Sequence, residues 1–204
     1  MFDTSLRRLI DPTLDRAARQ VARLGGTANA MTVVGFLIGM GGCIAIAFRW
    51  YAAGLAAILL NRLADGLDGS LARLRTTTDR GGFLDTVLDT IFYSGVPFGF
   101  AVAEPANALP AAFLIYSFIG TGGSFLAYAA ISAKRGVTSD PAGRKSFYYS
   151  VGLMEGGETI LFFVLFCLWP VHFATLAWTF GGLCWITTAA RLLAGLHAFR
   201  DPTQ

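Results

Sequence analysis

Long apolar blocks recur along this chain, and within two of them stand four aspartates, Asp65, Asp68, Asp85 and Asp89, in the stretch DGLDGSLARLRTTTDRGGFLDTVLD. Blocks of this length argue for membrane-spanning helices. Carboxylates at membrane depth are costly unless something compensates them. Asp65 and Asp68 are spaced i,i+3 and Asp85 and Asp89 i,i+4, so on two helices each pair shares one face. Two ionised carboxylates ~4 Å apart repel by ~4 kcal/mol at an effective dielectric of about 20. Four converging acids therefore call for protonation of some members or for a divalent cation. All-oxygen ligation suits a hard ion such as Mg²⁺, Mn²⁺ or Ca²⁺.

The composition agrees. Of 204 residues, 54% are hydrophobic and only 14% charged, against about 25% charged in an ordinary soluble domain. The net charge of +3 does not suggest a nucleic-acid partner. Cys43, Cys167 and Cys184 stand singly in apolar blocks and read as small buried hydrophobes, without zinc-site or redox spacing. The first thirty residues carry five arginines and no continuous hydrophobic stretch, so no cleavable signal sequence is expected. Leu6, Leu9, Ile10, Leu14, Ala17, Ala18, Val21 and Leu24 recur at helical spacing, predicting an amphipathic helix in the membrane interface, divided by Pro12 into two pieces.

The fold class expected is all-α: an integral membrane protein with six transmembrane helices, over 30–48, 51–74, 82–103, 109–133, 146–169 and 172–198. Residues 1–28 form the interfacial segment and 29–204 the membrane domain. Basic residues gather at the N-terminus, after the second span (Arg73, Arg75, Arg80) and after the fourth (Lys134, Arg135, Arg144, Lys145). The opposite side has only Arg49. Both termini and the aspartates are thus expected on the cytoplasmic side of the cell membrane. Gly35 with Gly39 and Gly95 with Gly99 permit close helix approach, read first as packing within the bundle and second as a dimer face.

Beside the acids, Gly69 and Ala72 leave a notch on the same helix face, and Arg73 stands just beyond it, its fork of donors suited to a phosphate. Metal-binding acids, small residues and arginine together describe a site for a phosphorylated ligand chelated by divalent cations.

The pattern resembles the signature of the CDP-alcohol phosphotransferases, D-x-x-D-G-x-x-A-R followed by G-x-x-x-D-x-x-x-D. Every fixed position is filled: Asp65, Asp68, Gly69, Ala72, Arg73, Gly81, Asp85 and Asp89. Seven residues separate Arg73 from Gly81 where eight are usual, a difference that falls in the polar turn. The resemblance implies that the four aspartates bind one or two divalent ions, Mg²⁺ or Mn²⁺, and that Asp89 is also the catalytic base for the acceptor hydroxyl. It implies that Gly69, Ala72, Arg73 and Gly81 receive a CDP-linked donor such as CDP-diacylglycerol, and that a phosphatidyl group passes to an alcohol acceptor with release of CMP, in phospholipid synthesis. Asn29 and Thr32 look like the family's P-N-x-x-T helix start, with Ala28 in the proline position. Capping of the first span by Asn29 is the alternative. The resemblance also suggests a homodimer.

Further polar residues fall within or beside spans. Glu155 and Glu158 share a helix face and stand either for acceptor binding or for pairing with Arg62 or Arg191. Lys145, with Arg144, Lys134 and Arg135, fits either an acceptor phosphate or topogenic charge. His172 and His197 have no partner in sequence and receive no role. Two other functions fit intramembrane acids, a UbiA-like prenyltransferase and an ion- or proton-coupled transporter. Both account less well for one contiguous signature with a notch beside an arginine.

Overall fold

The computed structural model describes residues 2–136, 154 and 156–200. Among these, every regular element is helical: α1 (Phe2–Arg23), α2 (Ala28–Ala47), α3 (Tyr51–Leu74), α4 (Asp79–Ala103), α5 (Ala108–Lys134), α6 (Gly156–Leu168) and α7 (Phe173–Ala198), with short 3₁₀ turns at Pro105–Asn107 and Pro170–His172. A helix satisfies its own backbone polar groups, which an apolar surrounding requires. Among the described residues, four segments are long and apolar enough to cross a membrane: Ala28–Ala47, Asp79–Ala103, Pro105–Lys134 and Pro170–Ala198. The helix α3 matches them in length with 24 residues, but Asn61, Arg62, Asp65 and Asp68 break its apolar run. The helix α6 has 13 residues, and much of the expected span 146–169 that precedes it lies outside the described residues. Large apolar side chains face outward along these helices, among them Leu37, Phe98, Ile119 and Leu193, as in an integral membrane protein.

The helices begin where capping chemistry dictates. Thr27 caps α2, its Oγ1 accepting from Ala30 N at 3.2 Å. Thr78 caps α4 in the same way, accepting from Gly81 N at 3.1 Å. The helix expected from residue 82 therefore starts at Asp79, an acid placed favourably in the first turn. Capping of α2 by Asn29 is not what occurs, because Asn29 already lies inside the helix. Pro12 does not divide α1, which runs unbroken through it. The ring holds φ in the helical range, and the helix forgoes a backbone bond rather than ending.

Glycines decide how the helices meet. α2 packs on both α3 and α4, and α5 packs on α7 and α4. A Cβ on Gly35 would lie 2.8 Å from Ala64 Cβ on α3, and one on Gly39 2.6 Å from the Phe92 ring on α4. From the other side, a Cβ on Gly99 would meet the Cys43 carbonyl oxygen at 2.7 Å. Both G-x-x-x-G pairs thus face neighbouring helices of the same chain. Below them lies an aromatic core of Phe92, Phe100, Phe163, Phe166, Phe173 and Phe180, all fully buried. Phe100 stacks on Phe173 at 4.5 Å between centroids and Phe162 on Phe180 at 4.4 Å. The three cysteines are free and buried.

The two ends of the bundle differ. At one, Arg49 adopts a left-handed backbone (φ 65°), uncommon for a side-chain-bearing residue. Its guanidinium fastens the α2–α3 turn to the end of α4, donating to Ala103 O at 3.0 Å and Glu104 Oε2 at 3.1 Å. At the other end, α1 lies against α3, with Ala18 buried and the Leu14 side chain against Gly66. That is the end where the aspartates lie.

Gly99→Ala is expected to lower the thermal midpoint in detergent by several degrees, because a backbone carbonyl cannot yield as a side chain can. Gly41→Ala, with nothing within 4 Å of its Cβ, should leave the midpoint unchanged or slightly raised. Equal midpoints for the two variants would contradict the glycine-determined packing.

Candidate active site

Three helices build the site. The C-terminal half of α3 supplies Asp65 and Asp68, the N-terminal half of α4 supplies Asp85 and Asp89, and the first turns of α2 supply Asn29, Thr32 and Gly35. Three of the four carboxylates converge. One oxygen each of Asp65, Asp68 and Asp85 lie within 4.8 Å of one another. Asp68 is 7% exposed, and its Oδ2 is buried without a hydrogen-bond partner. A buried carboxylate oxygen with no donor, set between two further carboxylates, is unfavourable alone. A hard divalent cation among the three would meet all of these oxygens at once, so the residues present fit such an ion.

Asp89 behaves differently. It turns to Arg62, whose Nη2 lies 2.7 Å from Oδ1 and whose Nη1 lies 3.4 Å from Oδ2. The same Nη1 donates to Tyr93 Oη at 2.9 Å and lies 3.5 Å from Asp65 Oδ2. Nε donates to Asn61 Oδ1 at 2.8 Å, and Asn61 Nδ2 donates in turn to Gly35 O at 2.9 Å. Arg62 was expected, on one reading, to pair with the glutamates of the fifth span; its donors instead serve Asn61, Tyr93 and Asp89. Its place could be read from spacing, since Arg62 stands i,i+3 to Asp65 and so shares that helix face.

Next to the carboxylates opens a cleft of about 190 Å³, lined by Ala28, Asn29, Thr32, Asp68, Gly69 and Ala72 on one side and by Thr76, Thr77, Thr78, Gly81, Gly82 and Asp85 on the other. Its floor is low because its residues are small. A Cβ on Gly69 would meet only Arg73 Nη1, at 3.5 Å. Gly81 lets α4 approach α2, since a Cβ there would lie 3.0 Å from Asn29 Oδ1. The first turns of α2 and α4 both border the cleft, and helix N-termini favour anions. Arg73 stands half-exposed beside it, donating to Ser70 Oγ at 2.9 Å with Asp15 of α1 3.9 Å away.

The structure thus brings together Asn29, Thr32, Asp65, Asp68, Gly69, Ala72, Arg73, Gly81, Asp85 and Asp89. Glu158 lies half-buried in the first turn of α6, outside the carboxylate cluster. Lys145 and Glu155, with Arg144, lie outside the described residues. Arg191 donates to Thr121 O at 3.1 Å and sits over the Phe125 ring, and Arg135 donates to Phe199 O at 3.0 Å. The lining by Thr76–Thr78 and the roles of Asn61, Arg62 and Tyr93 were not expected from the sequence.

Replacing Asp68 by Asn removes one of three crowded charges. In metal-free protein this should stabilise the fold by about 1 kcal/mol, or roughly 2–4 °C in the thermal midpoint. The further rise that Mn²⁺ gives the unsubstituted protein should be lost in the variant. A variant that keeps the full Mn²⁺ response would remove Asp68 from the ion site.

Comparison with known proteins agrees with this geometry. The family model for CDP-alcohol phosphatidyltransferase matches residues 26–190. The inner membrane protein YnjF of Escherichia coli is 52% identical over 96% of this chain and 95% of its own length. The archaetidylinositol phosphate synthase of Pyrococcus horikoshii is 33% identical over 48% of this chain and 53% of its own. The fold is similar to that of Mycobacterium tuberculosis phosphatidylinositol phosphate synthase (PgsA1) with CDP-DAG bound, at a TM-score of 0.66 and 22% identity, covering 92% of this chain and 97% of that one. The same synthase in complex with manganese and citrate also gives a TM-score of 0.66, at 21% identity and 92% coverage of both chains. A signature complete at every fixed position, folded around one cleft, and a family match across most of the chain have one meaning: this protein belongs to the CDP-alcohol phosphatidyltransferase family, membrane transferases of phospholipid synthesis.

Proposed function

We propose that this enzyme transfers a phosphatidyl-type group from a CDP-linked lipid such as CDP-diacylglycerol to an alcohol acceptor, releasing CMP, with a divalent cation held by Asp65, Asp68 and Asp85. The observation that carries the reading is the continuity of the three-carboxylate cluster with the small-residue cleft, since Thr32, Asp68 and Asp85 line both. When bound, Mg²⁺ or Mn²⁺ supplies charge neutralisation for the pyrophosphate and its leaving group.

The chain's own residues supply the rest. Gly69, Ala72 and Gly81 leave room for the nucleotide to lie against backbone. Arg73 donates to a phosphate oxygen, and the N-termini of α2 and α4 favour its negative charge. Asp89 accepts the proton of the acceptor hydroxyl. The oxygen so freed attacks the lipid-side phosphorus, and the phosphorus–oxygen bond to CMP breaks. Arg62 engages each Asp89 oxygen once, so lone pairs remain for that proton.

The test is direct. CMP should raise the thermal midpoint only with Mg²⁺ or Mn²⁺ present. Purified protein given CDP-diacylglycerol and a panel of alcohols, beginning with inositol phosphate because relatives bear that synthase name, should form one new lipid identified by mass. Asp89→Asn should give no product while keeping the CMP response. No CMP effect with either ion would count against the proposal, and full turnover of the variant would remove Asp89 as the base.

The distribution of basic residues supports a cleft that faces the cytoplasm. A C-terminal reporter active only outside the cytoplasm should stay silent, and a signal from it would reverse the orientation.

A further inference from the structure

Of the four signature carboxylates on α3 and α4 only three converge, and the reason is a cation already built into the chain. The Arg62 side chain is 14% exposed. It is fixed on every side: Asn61 holds Nε, Tyr93 Oη holds Nη1, and the Phe92 and Tyr93 rings lie 5.0 and 5.1 Å from its central carbon. Asn61, itself buried, is tied to the α2 backbone at Gly35. A guanidinium keeps its charge under all ordinary conditions. It spans the gap between Asp65 and Asp89, 3.5 Å from one and 2.7 Å from the other.

We infer that Arg62 stands in for a second metal ion: it confines the donor-free site to one divalent cation, on Asp65, Asp68 and Asp85, and keeps Asp89 off that ion. This rests on the metal-site reading above and adds a number to it. A second ion would need Asp89, whose two oxygens both face the guanidinium. To ligate, Asp89 would have to leave a buried arginine behind, and the incoming ion would stand beside a like charge. The charge count agrees. Four carboxylates, one guanidinium and one divalent ion leave a single negative charge, whereas a second ion would make the site positive before any phosphate arrives. Arg62 is in these terms a positioning residue, acting on the site through Asp89.

The experiment counts Mn²⁺ bound per chain in detergent-solubilised full-length protein without donor, by electron paramagnetic resonance and by metal analysis after gel filtration. The unsubstituted protein should bind one ion with an uncoupled spectrum, and Asp68→Asn should lose it. Arg62→Met should bind two, with the broadened spectrum of neighbouring manganese ions, and Arg62→Lys, which keeps the charge, should stay at one. Two ions in the unsubstituted protein overturn the inference while leaving the metal site intact, and that count needs no variant to fold. One ion in a folded Arg62→Met also overturns it. No ion in the unsubstituted protein overturns the metal-site reading and this inference together.

Discussion

Close approach of α2 to α3 and α4 is the constraint from which the rest of the site follows. Where Gly35 and Gly39 face Ala64 and Phe92, and Gly99 faces the Cys43 carbonyl, no side chain intervenes. Only at that separation can Asn61 reach the Gly35 carbonyl and hold Arg62, and only then does Thr32 join Asp68 and Asp85 around the same space. Helix packing in an apolar surrounding lacks the hydrophobic drive that operates in water, so small residues and interhelical hydrogen bonds decide it. Here both act at one level of the bundle.

The electrostatics are settled in two ways within a few ångströms. Asp89 is compensated by the chain itself, through a two-pronged contact with Arg62. Asp65 meets the edge of the same guanidinium at 3.5 Å, but in the cluster that it forms with Asp68 and Asp85 the Asp68 Oδ2 has no donor of its own. Sequence spacing treats the four acids alike; the fold does not. A carboxylate that must take part in proton transfer and carboxylates that must hold an ion benefit from such a separation of environments.

Most of the fold was legible because its signals are local. The apolar blocks located the helices, and the bounds of α3 are those expected, Tyr51 to Leu74. The helix α4 starts three residues before the 82 expected, because Thr78 caps it, and a threonine followed by an acid is a helix-start signal. The cleft residues were legible because the D-x-x-D-G-x-x-A-R pattern names them one by one. The partner of Asp89 was not, since Arg62 and Asp89 are separated by 27 positions and nothing in either helix alone says which cation an acid will meet. Pro12 leaves α1 undivided for a simpler reason: a single proline costs a helix one bond, and α1 keeps enough others to continue.

The placement of the cleft has a consequence for the two kinds of molecule that meet there. Its walls are the first turns of α2 and α4 and the polar turn Thr76–Thr78, while the outer faces of the same two helices carry exposed Leu37, Ile44, Phe98 and Val102. A small alcohol arriving through water, and a lipid whose nucleotide head group lies in water while its acyl chains lie among hydrocarbon, can therefore meet at one phosphorus atom without either leaving its own phase. In the reaction proposed, the protein need not carry a charged head group inward or pull a lipid out. It holds the boundary itself still, and the bond changes hands across it.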